Sequence, residues 1–181
     1  MKFVAPALFG LSLLSAAPAF AATPPPAAPV TAAAASPAHV KAVQDLLGAM
    51  HFENELRSVA GRSRYASVAQ RDAVFAKIDK TPPADIYRRL APAVARIISA
   101  DTAAEMTRFY STPYGKQVIH RKYNSGPQIA MPGMTAAVSP EEKKERKRPA
   151  YVQASKELAA AEPALQHEAF KLLQEINKEK R

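Results

Sequence analysis

The chain has 181 residues, a formal net charge of +9 and no cysteine. The missing cysteine excludes disulfides, zinc–thiolate sites, a thiol nucleophile and a lipid-modified cysteine anchor, and the length suits one modest domain. A basic balance attracts anionic partners in general and identifies none of them.

Hydrophobic residues make up 48 % of the chain, but alanine supplies much of that share. A core must therefore be built from Leu, Ile, Val, Phe, Tyr and Met. With only 6 glycines, no tryptophan and few β-branched runs, the composition favours helices over sheet. The 16 prolines gather near the front and at apparent helix boundaries, where proline is tolerated.

Residues 1–21 have the form of a secretory signal peptide. Lys2 supplies a minimal positive start, Phe3 to Ala17 is apolar, and Ala19-Phe20-Ala21 is a small-x-small cleavage signal. Cleavage is expected after Ala21, with export by the Sec route to the bacterial periplasm or beyond. The apolar run is short for a bilayer span, and Pro6 and Pro18 also weigh against one. The mature chain is thus expected to carry no transmembrane span. Residues 22–36 are a Pro/Ala-rich linker that buries too little apolar surface to offset ordering entropy, so disorder is expected there.

The helical domain is expected over residues 37–181. Ser36-Pro37 reads as an N-cap followed by proline at the first helical position. Val43, Leu46, Leu47 and Met50 then share one helical face, and Phe52, Leu56, Val59 and Ala60 share another. Gly61 and Arg62-Ser63-Arg64 bend or break the second run. Tyr65, Val68, Phe75 and Ile78 continue a stripe towards Lys80. Thr81-Pro82-Pro83 stops it. Ile86, Leu90, Ala93, Val94 and Ile97 follow at helical spacing, with Pro92 expected to kink or restart that helix. Either Asp101 caps the next helix, or Thr102 forms a capping box with Glu105. Met106, Phe109, Tyr110 and Pro113 lead into the densest motif of the chain.

Asn124 to Pro127 ends the helix after that motif, and residues 128–138 read as a loop. Ser139-Pro140-Glu141-Glu142 has the form of a capping box. A charged helix follows to about Arg148. Pro149 interrupts the pattern; Tyr151, Ser155 and Leu158 resume it. Pro163 is expected to open a last helix carrying Ala169, Leu172, Leu173 and Ile176 on its apolar face. No convincing period-2 strand occurs. The fold class is therefore all-α, a bundle of about six or seven short helices.

The motif is Phe109-Tyr110-Ser111-Thr112-Pro113-Tyr114-Gly115-Lys116. Its first reading is structural. Tyr110 ends one helix, Ser111 or Thr112 caps the next, and Pro113 takes the first helical position. Gly115, lacking a side chain, lets a neighbouring helix approach closely. Phe109 and Tyr110 are then core or corner residues. The second reading uses the helix N-terminus and Lys116 to bind an anion. The G-x-x-x-x-G-K-[ST] spacing of a phosphate-binding P-loop is missing.

Ile98 to Ile119 resembles the core of a bacterial secreted family of unknown function (DUF twenty fifty-nine), whose members show F-Y-x-[ST]-P-x-G-[KR]. The matching residues are Phe109, Tyr110, Thr112, Pro113, Gly115 and Lys116. A family-like core extends over about residues 84–124. The resemblance implies an exported all-helical domain and brings no activity or catalytic residue. Tyr114 departs from the charged or polar residue that many members place there. The long basic C-terminal segment, residues 139–181, is also less typical.

Elsewhere the chemistry is sparse. His51 and Glu55 stand at i, i+4 and read as an exposed pair rather than two metal ligands, because no third ligand is evident. No nucleophile context such as G-x-S-x-G occurs. No catalytic, cofactor-binding or metal-ligating residue is assigned. Glu141 to Arg148 (EEKKERKR) reads as a solvated helix laced with ion pairs, Glu142–Arg146 among them. Nucleic-acid binding would call for a purer basic patch with stacking aromatics, so a nucleic-acid partner is not expected. Arg88, Arg89, Arg96, Arg121 and Lys122 are candidates for an anion-facing surface. The expected function is a binding or interaction module of the cell envelope, with an envelope protein or anionic component as partner. The alternatives are a peripheral binder of anionic membrane or envelope polymer, acting through the basic helices, and a hydrolase with a site hidden from sequence.

Overall fold

The computed structural model describes residues 35–124 and 139–179. The signal peptide, nearly all of the linker and the loop at 128–138 lie outside the described residues. Within them are eight α-helices and no strand. They run α1 (Pro37–Ala49), α2 (Glu53–Arg62), α3 (Val68–Lys80), α4 (Pro83–Val94), α5 (Ala100–Ser111), α6 (Pro113–Asn124), α7 (Pro140–Glu145) and α8 (Pro149–Lys178). The all-α bundle is borne out, and its last helix is long rather than short. No helix among the described residues is long and apolar enough to cross a membrane.

The helix starts follow local chemistry. Ser36 accepts from the His39 amide, Ser67 from Gln70, Ser99 from Thr102 and Ser139 from Glu142. Each hydroxyl satisfies one of the orphan donors of a first turn. Two starts differ from expectation. Ser99, not Asp101 or Thr102, caps α5. Helix α3 begins only at Val68, because Ser67 caps it and the Gln70 side chain reaches back to accept from the Ala66 amide at 2.8 Å. Val68 is therefore exposed, and Val74 joins Ile78 on the buried face.

Helix α8 is the spine. Its 30 residues span about 45 Å, and it packs against α2, α3, α4 and α5. Helix α1 lies against α4 and α5. Pro163 does not open a separate helix; it sits exposed inside α8. The buried stripe Ala154, Leu158, Ala161, Leu165, Ala169 and Leu172 runs past it without a change of phase. One missing backbone hydrogen bond costs less than breaking a stripe whose large side chains are each worth about 1.5–3 kcal/mol when buried.

The turn between α1 and α2 resets the helical phase. The Phe52 amide bonds to Leu47 O at 3.1 Å and the His51 amide to Gly48 O at 3.1 Å. This is a Schellman motif with His51 in the left-handed region at φ 51°. The expected His51–Glu55 pair does not form, because the two residues do not share a helix. His51 Nδ1 lies 3.3 Å from Glu53, while buried Glu55 meets Arg62 at 3.3 Å.

Candidate functional site

Phe109 to Lys116 forms the corner between α5 and α6. Thr112 stands between the helices. Its amide and hydroxyl both donate to Phe109 O, at 3.0 and 2.7 Å, and its hydroxyl accepts from the Gly115 amide at 2.9 Å. Pro113 takes the first position of α6, where a missing N–H costs nothing. Gly115 is buried against the last turn of α5. A Cβ built there would lie 2.7 Å from both the Phe109 carbonyl carbon and the Tyr110 Cα, and closer still to Phe109 O. The close approach expected at Gly115 is to the backbone of the preceding helix.

Aromatic rings lock the corner. Phe109 is buried, and its ring centroid lies 5.1 Å from Tyr110, 6.1 Å from Tyr114 and 4.8 Å from Tyr151 of α8. Tilted and edge-on pairs at these separations are favourable. The Tyr114 hydroxyl donates to Glu142 at 2.9 Å. Burial, with smaller contributions from Tyr151 and Glu162, pushes the Tyr110 phenol up to about 12.

The corner has few free backbone donors for an anion. Pro113 has none, Thr112 Oγ1 occupies the Gly115 amide, and Thr112 O accepts from the Lys116 amide at 2.9 Å. Only the Tyr114 amide is left. The interest of the corner lies in what it walls off.

Two cavities flank it, and Tyr110 lines both. The first, of about 230 Å³, lies among α2, α5, α6 and α8 and is mostly apolar. Phe109, Tyr151, Met50 and Met106 line it, and the charged groups Glu55, Lys122 and Glu162 stand on its wall. The second is a cleft of about 600 Å³ between the α1–α2 turn and α6. His51, Asn54, Lys116, Gln117, His120 and Asn124 contribute polar groups to it, and no carboxylate lines it. Tyr123 also lines the cleft; its hydroxyl is buried with no hydrogen-bond partner among the described residues. Burial raises that phenol's pKa, and Glu55 raises it further.

Four of the five candidate basic residues, all but Arg96, are engaged by other groups. Arg88 pairs with Asp85, and Arg89 with Glu175 and Glu179. Lys122 lies near Glu55 and Glu162, and Arg121 lies over the Tyr114 ring. In the charged segment the Glu142–Arg146 pair forms as its spacing predicts. Arg108 of α5 meets Glu145 at 2.5 Å, and Arg148 meets Glu105 at 3.1 Å. These pairs tie α7 and the start of α8 to α5.

Sequence reasoning found Lys116 and Tyr110 through the motif. It missed Asn54, His120 and Tyr123, which carry no local signal that they share a cleft with His51. Among the described residues no group of three His, Asp or Glu side chains is placed to hold a metal ion. Comparison of the chain with protein-family models, with curated proteins and with solved structures found no match.

Proposed function

We propose that this chain is an exported binding module of the bacterial cell envelope. Its ligand in this reading is a small anion, a carboxylate or phosphate group, held in the cleft beside α6. The observation that carries the reading is the lining of the cleft, which gathers Lys116, two imidazoles and three carboxamides with no carboxylate among them. Lys116 has no acidic partner among the described residues, whereas Arg89, Arg108 and Arg148 are each held by two carboxylates. A cation left free beside clustered donors favours an anion over water when the site is concave. His51, at the Schellman turn, presents an imidazole to the cleft, its Nδ1 3.3 Å from Glu53. Export rests on the signal-peptide form of residues 1–21, and membership of the family sharing the F-Y-x-[ST]-P-x-G-[KR] motif belongs to the same proposal.

Titration calorimetry of the mature chain with inorganic phosphate and with citrate at low salt tests this. Saturable binding is expected, weakened about tenfold by Lys116→Ala, and unaffected by Arg88→Ala on α4. The absence of saturable binding to either anion, or wild-type affinity in the Lys116 variant, refutes the reading. The membrane alternative draws less support, because Arg146 and Arg148 are engaged with carboxylates. No specific observation favours a hydrolase.

A further inference from the structure

The apolar cavity on the other side of Tyr110 has a different chemistry. We propose that it binds a small neutral aromatic molecule carrying one hydrogen-bond donor, of the phenol or indole class. The pocket is partly open to solvent and holds about 230 Å³, more than the roughly 150 Å³ in which an enclosed apolar cavity takes up benzene. The walls suit a flat ring. Phe109, Tyr110 and Tyr151 line it as one aromatic cluster against which an added ring can pack. Met50 and Met106 supply thioethers that adapt to an aromatic guest.

Glu55 supplies the polar selectivity. It is only 5 % exposed, yet it lines this apolar space. One of its oxygens receives a single contact, from Arg62 at 3.3 Å. The other lies 3.7 Å from Lys122 Nζ, beyond hydrogen-bond reach. A carboxylate accepts at about four sites, so Glu55, beside Arg62 and Lys122, still has acceptor capacity for a ligand donor. A ligand N–H or O–H can use that capacity, and a purely apolar ligand cannot. The two acids at the wall, Glu55 and Glu162, are offset by Lys122 and Arg62. That balance favours a neutral guest over an ion.

The test compares indole with 1-benzothiophene, which has nearly the same shape and no N–H. Calorimetry of the mature chain should show saturable indole binding about tenfold tighter than that of benzothiophene. Glu55→Met should abolish the difference. Ala159→Phe, placed at an exposed position on the cavity wall, should block both ligands without lowering the melting temperature. A readout independent of any variant is the transfer of magnetisation from indole protons to the methyl groups of Met50 and Met106. The chain has no tryptophan, so the indole signals stand clear. The proposal is overturned by any one of four results: no saturable indole binding, equal affinity for the two ligands, a preference that survives Glu55→Met, or contacts to methyl groups elsewhere.

Discussion

Gly115→Ala is the sharpest test of the corner. By conformation alone the change should help. Gly115 has no positive φ, and alanine in a helix is favoured over glycine by about 0.5–1 kcal/mol. The surroundings reverse the sign. The new methyl group would sit 2.7 Å from two backbone atoms of Phe109 and Tyr110, and no rotamer change can move backbone. Helix α6 must back away from α5. The Thr112 bridge between Phe109 O and the Gly115 amide then stretches or breaks. Overpacking of this kind costs about 1–3 kcal/mol, and each weakened hydrogen bond about 1 kcal/mol more. The expected loss is about 3 kcal/mol, or about 6–12 °C in melting temperature for a chain of this size. Two other helical glycines act as controls. Gly61 has nothing within 4 Å of a built Cβ, and Gly48 meets only the Tyr87 ring at 3.5 Å. Gly61→Ala should gain up to about 1 kcal/mol, and Gly48→Ala should be near neutral. Urea and thermal unfolding followed by circular dichroism measure all three. If Gly115→Ala lies within about 1 kcal/mol of wild type, the close approach of α5 and α6 does not govern this corner.

Two further outcomes follow from the same contacts. Thr112→Ala should cost about 1–2 kcal/mol in urea unfolding, and Thr112→Ser much less, because only the hydroxyl caps α6; equal losses would refute the cap. Glu157 accepts from the Ser99 amide at 2.6 Å and the Thr102 hydroxyl at 2.6 Å, binding α8 to the start of α5. Burial pushes its carboxyl up, but the Thr102 and Ser99 hydrogen bonds outweigh burial, so its pKa falls below the ordinary glutamate value. A lowered folded pKa means stabilisation that is complete above the unfolded value of about 4.3 and lost as pH falls through the folded one. Glu157→Gln should therefore be less stable at pH 7 and lose less on acidification than wild type. Urea midpoints from pH 7 to pH 3 check this, and parallel pH profiles would count against it.

What could be read early was local. The caps at Ser36 and Ser139, the faces of α1 and α4 and the break at Pro82-Pro83 all depend on residues three or four apart. The same locality caused the failures. Pro163 looks like a boundary within its own window, but burial on either side holds α8 together. His51 and Glu55 look like helical neighbours, but the Schellman turn at His51 breaks their phase. The Ser67 cap on Gln70 sets the start of α3, although the apolar spacing runs back to Tyr65.

The corner shows where the division falls. The sequence alone determined that a helix opens at Pro113 immediately after another ends, with Ser111 or Thr112 as its cap, because capping and backbone freedom are properties of neighbouring residues. Only the tertiary structure decided what that corner encloses. His51 and His120 line one cleft, while Glu55 and Tyr151 line one cavity, although each pair is far apart along the chain. Such meetings depend on how α8 and α1 pack against α5 and on the carboxylate each cation finds. Those are contacts between distant segments, and no window of neighbouring residues contains them.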